Sequence, residues 1–158
     1  MARTITVKGI GRATAKPDYV VLSMTLEAKH KDYQKAMDLA AEQIQYINAH
    51  GTSTPLNDKG ETRAVKLAFG DHAKNVMMSS TKSMTGHLLG ASGAVEGIIT
   101  ALSVQNDFVP ATIGYQVPDE NCDLDIVANE GRNVSVNYAM SNSLGFGGHN
   151  ATVIFKKV

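Results

Sequence analysis

The sequence has a single cysteine, no excess of charge of either sign and no long apolar run. One cysteine, Cys122, excludes an internal disulfide and is typical of a protein in a reducing compartment. Basic and acidic residues both number 15, so no net charge attracts the chain to nucleic acid or to an anionic membrane. The sequence contains no run of about 18 apolar residues, the length that a transmembrane helix needs. The N-terminus has no apolar core of signal-peptide length. These absences predict a soluble cytoplasmic protein without nucleic-acid or membrane partners.

Hydrophobic residues make up 43% of the 158-residue chain, which is enough to build the core of about one domain. Near the N-terminus, apolar residues alternate over 4–14 and over 18–28, and this period of two predicts two strands joined by a turn at Pro17. Residues 29–44 then show helical spacing, with Asp32 as a candidate cap. This part of the chain is therefore predicted to form a strand–strand–helix unit.

Short strands and helices alternate through the rest of the chain. Apolar runs at 45–49 and 76–80 predict two strands, and a helix between them ends at Gly70. A long helix is predicted over 87–106, where apolar residues lie around most of the circumference, so we expect burial on several sides. Two further strands flank a glycine loop within 133–157. This alternation predicts an α/β fold, a mixed sheet with helices on its faces.

Four stretches carry the residue types found at active sites: NAHGTSTPLND (48–58), SSTKSMTGHLLGASGAVE (79–96), PDENCDLD (118–125) and NYAMSNSLGFGGHNA (137–151). In this order and spacing they resemble the C-terminal half of the β-ketoacyl-acyl carrier protein synthases, closest to the type II condensing enzymes of bacterial fatty-acid synthesis. The resemblance implies half of a thiolase-like fold. It also implies descent from an enzyme that joins a cysteine-bound acyl group to malonyl-acyl carrier protein with loss of carbon dioxide. No metal and no cofactor are implied.

The resemblance assigns His50, His87 and Lys82 to the catalytic site. Two imidazole N–H donors can hold the enolate oxygen that forms when a malonyl thioester loses carbon dioxide. His87 lies at the start of the predicted helix 87–106, where the positive end of the helix dipole disfavours a charged imidazole. His87 is therefore expected to be a neutral hydrogen-bond donor.

The remaining site residues follow from the same resemblance. Glu96 matches a buried acidic residue that organises the lysine and the histidines. Thr52 and Thr54 match hydroxyls that meet the phosphopantetheine arm of acyl carrier protein, while Phe146 and Gly147 match the gate and the backbone of the acyl pocket. Simpler interpretations stay open: the glutamate and the lysine could form only a structural ion pair, and the two threonines could only cap the following turn.

The nucleophile of the resembled family is missing from this chain. In the family it is a cysteine at a helix N-terminus in the other half of the fold. Cys122 lies instead among Glu120, Asp123 and Asp125, and negative neighbours raise the pKa of a thiol. The three predicted site residues, two histidines and a lysine, are therefore expected to be vestigial, without acyltransferase activity in this chain alone.

The N-terminal segment does not resemble the missing half. Its strand with a G-x-G step, its KPD turn, its long strand and its alanine-rich helix are similar to the start of a SIMPL (DUF541) domain. The chain is thus interpreted as a chimera, with a SIMPL-like β-β-α segment over 1–45 and the ketoacyl-synthase half over 46–158. We expect one folded unit, in which the first segment supplies the opening strands and helix of the sheet.

Three functions are compatible with this interpretation. The chain is first a fragment or chimera of a 3-oxoacyl-acyl carrier protein synthase that is inactive alone, with acyl carrier protein as the partner that the resemblance implies. It is alternatively a binding or oligomerisation module, or a subunit that needs a partner with the cysteine half. Without the other half, helix 87–106 would expose an apolar face, and two copies related by a twofold axis could cover it. The sequence therefore predicts a homodimer.

Overall fold

The computed structural model of the protein describes residues 10–15, 18–23 and 32–158. Strand β1 (Ile10–Ala15) and strand β2 (Asp18–Ser23) form an antiparallel hairpin. The predicted strand residues 4–9 and 24–28, and the predicted turn at Pro17, lie outside the described residues.

Helix α1 (Tyr33–Ala41) starts after Asp32, whose side chain accepts a 3.0 Å hydrogen bond from the backbone N–H of Lys35. This bond satisfies a donor of the first helical turn, and Asp32 is the cap that the sequence predicts. The C-terminal turn of the helix buries Ala40 and Ala41 in the core.

The later elements confirm the predicted alternation of strands and helices. They are β3 (Tyr46–Asn48), α2 (Asn57–Phe69), β4 (Met77–Ser79), α3 (Lys82–Thr85), α4 (Ser92–Asn106), β5 (Phe108–Val109), β6 (Asp125–Ile126), β7 (Arg132–Asn133), β8 (Tyr138–Leu144) and β9 (Asn150–Lys156). Helix α2 ends at Gly70 as predicted, at a φ of 54° that suits a residue without a side chain.

The main sheet has five strands in the order β6-β4-β3-β8-β9. The first four are parallel, and β9 is antiparallel to β8. Each of the central strands β3 and β4 is buried along its whole length, as is usual for parallel strands covered on both faces. The mixed sheet predicted from the sequence is confirmed.

Helices cover both faces of this sheet, and the alternation of side chains divides the core in two. On one face, Ile47 packs with residues from α1 and α2, including Val65 and Phe69. On the other face, Tyr46 packs with Val104 of α4 and with residues of the segments that follow it. The carboxyl ends of β3, β4 and β8 point to the same edge of the sheet, because these strands are parallel.

Helix α4 departs from the prediction in two ways. It begins at Ser92 and not at residue 87, since a short 3₁₀ turn (Leu89–Ala91) precedes it. Its buried side is also mostly polar, with Ser92, Glu96, Thr100, Ser103 and Val104 facing inward. The apolar side is left outside, where Ile98 is 61% exposed and Leu102 is 47% exposed. The expected burial on several sides is therefore wrong for this chain, and the expected exposed apolar face is confirmed.

The N-terminal segment contributes to the domain differently from what its sequence suggests. The β1–β2 hairpin forms a separate two-stranded sheet, and β2 lies close to β9 without joining its ladder. Among the residues that the structure describes, the five strands of the main sheet lie within 46–156. Helix α1, in contrast, does pack on the core as expected.

None of the helices that the structure describes has the length and apolar character of a membrane span.

Candidate active site

The candidate site lies at the carboxyl edge of the parallel strands. His50 follows β3 by two residues, and Lys82 follows β4 by three. Because β3 and β4 are neighbours with Asn48 opposite Ser79, the loops that leave them start side by side. Ligand sites of open α/β sheets usually lie in this position.

His50 is held by a buried carboxylate that the sequence analysis did not identify. One oxygen of Glu61 accepts the backbone N–H of His50 at 2.9 Å, and the other accepts the N–H of Gly51 at 3.0 Å. The side-chain amide of Asn142 also donates to Glu61, at 3.2 Å. Burial raises the pKa of Glu61 above its usual value, while these three hydrogen bonds act in the opposite direction.

A sequence signal for Glu61 does exist. On helix α2, Glu61 is spaced four and eight residues from the buried Val65 and Phe69, so its carboxylate shares their inward face. A charged residue on the apolar face of a helix is expected to have a dedicated partner. Here the partners are the two backbone N–H groups at the start of the histidine loop.

His87 lies in the loop between α3 and the 3₁₀ turn that precedes α4, and not at the N-terminus of a helix. The predicted effect of a helix dipole on His87 is therefore wrong. Its Nδ1 accepts the backbone N–H of Leu89 at 3.1 Å. The hydroxyl of Ser92 accepts the N–H of Leu88 and lies 3.1 Å from the same Nδ1, to which it can donate. Because Nδ1 accepts, the proton of the neutral ring is on Nε2. These hydrogen bonds, and not a helix dipole, support the predicted donor role of His87.

The two predicted histidines are adjacent in the structure. Their ring centroids are 5.4 Å apart and the rings meet edge to face, at 84°. His50 is buried, with 7% of its surface exposed, whereas His87 is exposed. Burial, followed by electrostatic interactions with Lys82 and His87, lowers the pKa of His50 to about 4. His50 is consequently neutral at pH 7.

Lys82 and Glu96 form a buried ion pair, and Lys82 interacts electrostatically with His50. Their side chains are 5% and 2% exposed. One carboxylate oxygen of Glu96, Oε2, has no hydrogen-bond partner among the described residues, nor does Nδ1 of His50. The pair thus holds an ammonium close enough to His50 to help keep the imidazole neutral.

The other predicted residues lie on loops at the same edge of the sheet. The hydroxyls of Thr52 and Thr54 hydrogen-bond each other at 3.0 Å, and helix α2 begins without a side-chain cap. Phe146 and Gly147 lie in the turn that connects β8 to β9, where Phe146 is 90% exposed. The two histidines, Lys82 and Glu96 therefore form one group. The four residues on the loops lie beside that group.

Cys122 lies apart from this group, on the loop before β6. Burial raises the pKa of its thiol, a hydrogen bond with Thr62 opposes the rise, and the charges of Asp119, Asp58 and Asp123 add to it. The pKa of the thiol is thus raised as predicted, but burial is a larger cause than the acidic neighbours, and of the three neighbours predicted to act, Asp123 is the one among these charges. Among the described residues, no group of three or more histidines, cysteines or acids could hold a metal ion.

Comparisons with known proteins find similarity over most of the chain. The C-terminal domain family of the beta-ketoacyl synthases matches residues 19–116. The 3-oxoacyl-[acyl-carrier-protein] synthase 2 of Staphylococcus aureus (strain COL) is 54% identical over 134 residues, which cover 83% of this chain and 32% of that protein. The chain spans about a third of the length of the curated relatives it matches.

Two solved structures share the fold. One is a chain in the complex of a type II PKS acyl-carrier protein with its ketosynthase, with a TM-score of 0.73 and 36% identity. The other is a beta-ketoacyl synthase from Burkholderia phymatum STM815, with a TM-score of 0.70 and 38% identity. Each match covers 78% of this chain and 32% of the other. These neighbours are thiolase-fold ketosynthases, so the predicted fold class is confirmed.

The similarity also crosses the predicted boundary at residue 46. The family match begins at residue 19, and an alignment over 83% of the chain is longer than the segment 46–158. Similarity to condensing enzymes thus includes part of the segment interpreted as SIMPL-like, and a SIMPL origin of that segment stays a prediction. Over most of its length, this chain belongs to the beta-ketoacyl synthase family and carries the family's C-terminal domain.

Proposed function

We propose that this chain carries the charge-stabilising part of a 3-oxoacyl-acyl carrier protein synthase and transfers no acyl group by itself. The observation that supports this most is the contact between His50 and His87, 5.4 Å apart, together with the buried pair of Lys82 and Glu96. The family membership supports the proposed class of reaction, and the geometry is compatible with the proposed roles of these four side chains.

Both imidazoles are suited to donate a hydrogen bond to a developing oxyanion. In His87, Nδ1 accepts from Leu89, so a neutral ring donates through Nε2. In His50, Nδ1 is buried and unpartnered. A buried lone pair without a partner costs less than a buried N–H without one, which favours the proton on Nε2 here too. Two neutral donors can stabilise the enolate oxygen of a decarboxylating malonyl thioester without transferring a proton to it.

Acyl carrier protein is the partner we propose for this site. One structural neighbour is a ketosynthase complex with an acyl-carrier protein. In this chain, Thr52 follows Gly51 directly and Thr54 comes two residues later; Thr52 is half-buried and Thr54 is exposed. We assign them to the phosphopantetheine arm, with Phe146 and Gly147 on the acyl side. A location in the cytoplasm, where this carrier is used in bacteria, belongs to the same proposal.

The absence of covalent acylation can be measured directly. After incubation with an acyl-acyl carrier protein, the intact mass of the purified chain is expected to stay unchanged, because the raised pKa of Cys122 keeps its thiol protonated. Cys122→Ser is the matched control and is expected to behave identically. An added acyl mass that disappears in Cys122→Ser would show that this cysteine is a working nucleophile, and the proposal would be wrong.

A homodimer is the assembly that the exposed face of α4 favours. Ile98 and Leu102 lie one helical turn apart on the outer side of the helix, and Leu89 of the preceding turn is 69% exposed. No charged residue of α4 itself lies on that side, since its one charged residue, Glu96, faces inward. A second copy offers the same uncharged surface, as a twofold interface requires.

Light scattering at tens of micromolar tests this assembly. The chain is expected to have the mass of a dimer, and Ile98→Glu is expected to produce monomers because it places a charge at the centre of the apolar face. Leu67→Glu, at a 76% exposed position on α2, is the matched control and should leave the dimer intact. A monomeric parent chain, or equal behaviour of the two variants, would exclude the interface.

A further inference from the structure

The loop that carries His50 is pressed against Ser80. The hydroxyl of Ser80 donates a 2.6 Å hydrogen bond to the carbonyl oxygen of Gly51. Gly51 has a φ of 39°, and a Cβ at this position would overlap the Cβ and Oγ of Ser80. A glycine is therefore required at 51, both for its backbone conformation and for this close approach.

Ser80 is itself fixed by the rest of the domain. Its backbone N–H donates to the hydroxyl of Thr112 at 2.9 Å, and its carbonyl accepts from the hydroxyl of Ser83 at 2.8 Å. Thr112 is anchored in turn, because its N–H donates to the carbonyl of Val127 at 2.7 Å. Ser80 is 9% exposed. It thus presents its hydroxyl from a rigid position.

The start of the His50 loop is consequently held from two directions. Glu61 accepts the N–H groups of His50 and Gly51, while Ser80 donates to the carbonyl of Gly51. Ser80 also comes two residues before Lys82 in the chain, so one short segment carries both the ammonium and the hydroxyl that faces the histidine loop.

We propose that Ser80 is a positioning residue, which fixes the imidazole of His50 against His87 and Lys82 by holding the carbonyl of Gly51. The inference concerns geometry and rests on the proposed function only for its consequence in the reaction. Nothing in the residue types alone indicates this role, because a serine between β4 and α3 has no distinctive spacing.

Removal of the hydroxyl has a defined consequence. In Ser80→Ala the carbonyl of Gly51 loses its donor, and the loop can relax away from the segment that carries Lys82. The groups that face His50 are the ring of His87, the ammonium of Lys82 with its partner Glu96, and the carboxylate of Glu61 at its backbone. Greater exposure of His50 to water then weakens the burial that keeps its imidazole neutral.

The test is a titration of the histidine signals by NMR on the full chain. Ser80→Ala is expected to raise the measured pKa of His50 by about one unit or more towards its ordinary value, and to weaken the cross-relaxation between the His50 and His87 rings. Thr112→Val, which removes the acceptor for the N–H of Ser80, is expected to shift it in the same direction by a smaller amount. Ser103→Ala is the matched control, because Ser103 is also buried but bonds only to its own helix at Ile99.

Two outcomes would contradict the positioning role of Ser80. An unchanged titration of His50 in folded Ser80→Ala contradicts the proposal, and so does loss of folding in both Ser80→Ala and Thr112→Val while Ser103→Ala folds, since Ser80 would then act only on stability. The measurement needs no enzymatic activity. If the proposed function fails but the titration shifts as expected, the positioning role stands by itself.

Discussion

Replacing Lys82 with methionine is expected to destabilise the chain by about 3–5 kcal/mol. The substitution keeps a side chain of similar length but leaves the carboxylate of Glu96 buried without its counter-ion. Glu96 is 2% exposed, so water cannot replace the lost ammonium. One oxygen of the carboxylate already has no hydrogen-bond partner among the described residues. The free energy of unfolding in urea at pH 7 measures the loss.

An exposed ion pair of the same chain provides the control. Lys66 pairs with Asp123, but these side chains are 41% and 53% exposed. Lys66→Met is therefore expected to change the stability by less than about 1 kcal/mol. The double variant Lys82→Met/Glu96→Gln should recover much of the stability lost in Lys82→Met, because it buries no unpaired charge. Equal losses in the two lysine variants would refute the view that the buried pair is a structural requirement of the site.

Acidification from pH 6.5 to pH 4 is expected to remove a stabilising contribution of His50, on the order of 3 kcal/mol. The pKa of His50 is about 4 in the folded chain, against an ordinary value of 6.5. Between these values the imidazole binds a proton in the unfolded chain but not in the folded chain. The contribution of His50 to stability is therefore complete above pH 6.5 and is lost towards pH 4. His50→Gln should lack this contribution to the pH dependence of unfolding.

Glu61 acts with the opposite sign in an overlapping range. Burial raises its pKa above the ordinary 4.5, so its contribution to stability is complete below that pH and is lost as the pH rises through the folded value. Unfolding free energies should thus be compared between pH 4 and pH 7 for the parent chain, His50→Gln and Glu61→Gln. The two variants are expected to change the slope in opposite directions. If His50→Gln left the slope of the unfolding free energy against pH unchanged, the lowered pKa of His50 would be contradicted.

Residue patterns alone predicted much of the chain's secondary structure. The cap at Asp32, the end of α2 at Gly70 and the alternation of strands and helices all depend on local chemistry, which a sequence records directly. The contacts among His50, His87, Lys82 and Glu96 join parts of the chain far apart in sequence. They were anticipated because a family resemblance assigned them together, and not from their spacing.

The errors have physical causes too. Apolar residues continue at helical spacing through Leu88 and Leu89, which suggested a helix from residue 87, but Leu89 has a φ of 51° and interrupts it. Apolar residues around most of the circumference of α4 predict burial on several sides, whereas small and polar residues face the sheet in this chain. The position of Glu61 on the inward face of α2 indicates a buried partner, but the sequence does not show that this partner is the backbone of His50 and Gly51. Ser80 has no such signal, because its hydroxyl binds a backbone carbonyl.

The most direct test of the account is an elongation assay with the purified chain as the only added condensing protein. Acyl-acyl carrier protein and malonyl-acyl carrier protein are supplied together, and the 3-oxoacyl product is measured. We expect none, because the role proposed for the two histidines is to stabilise an enolate, and Cys122, the single cysteine, lies apart from them. Formation of an elongated acyl chain under these conditions would contradict the account.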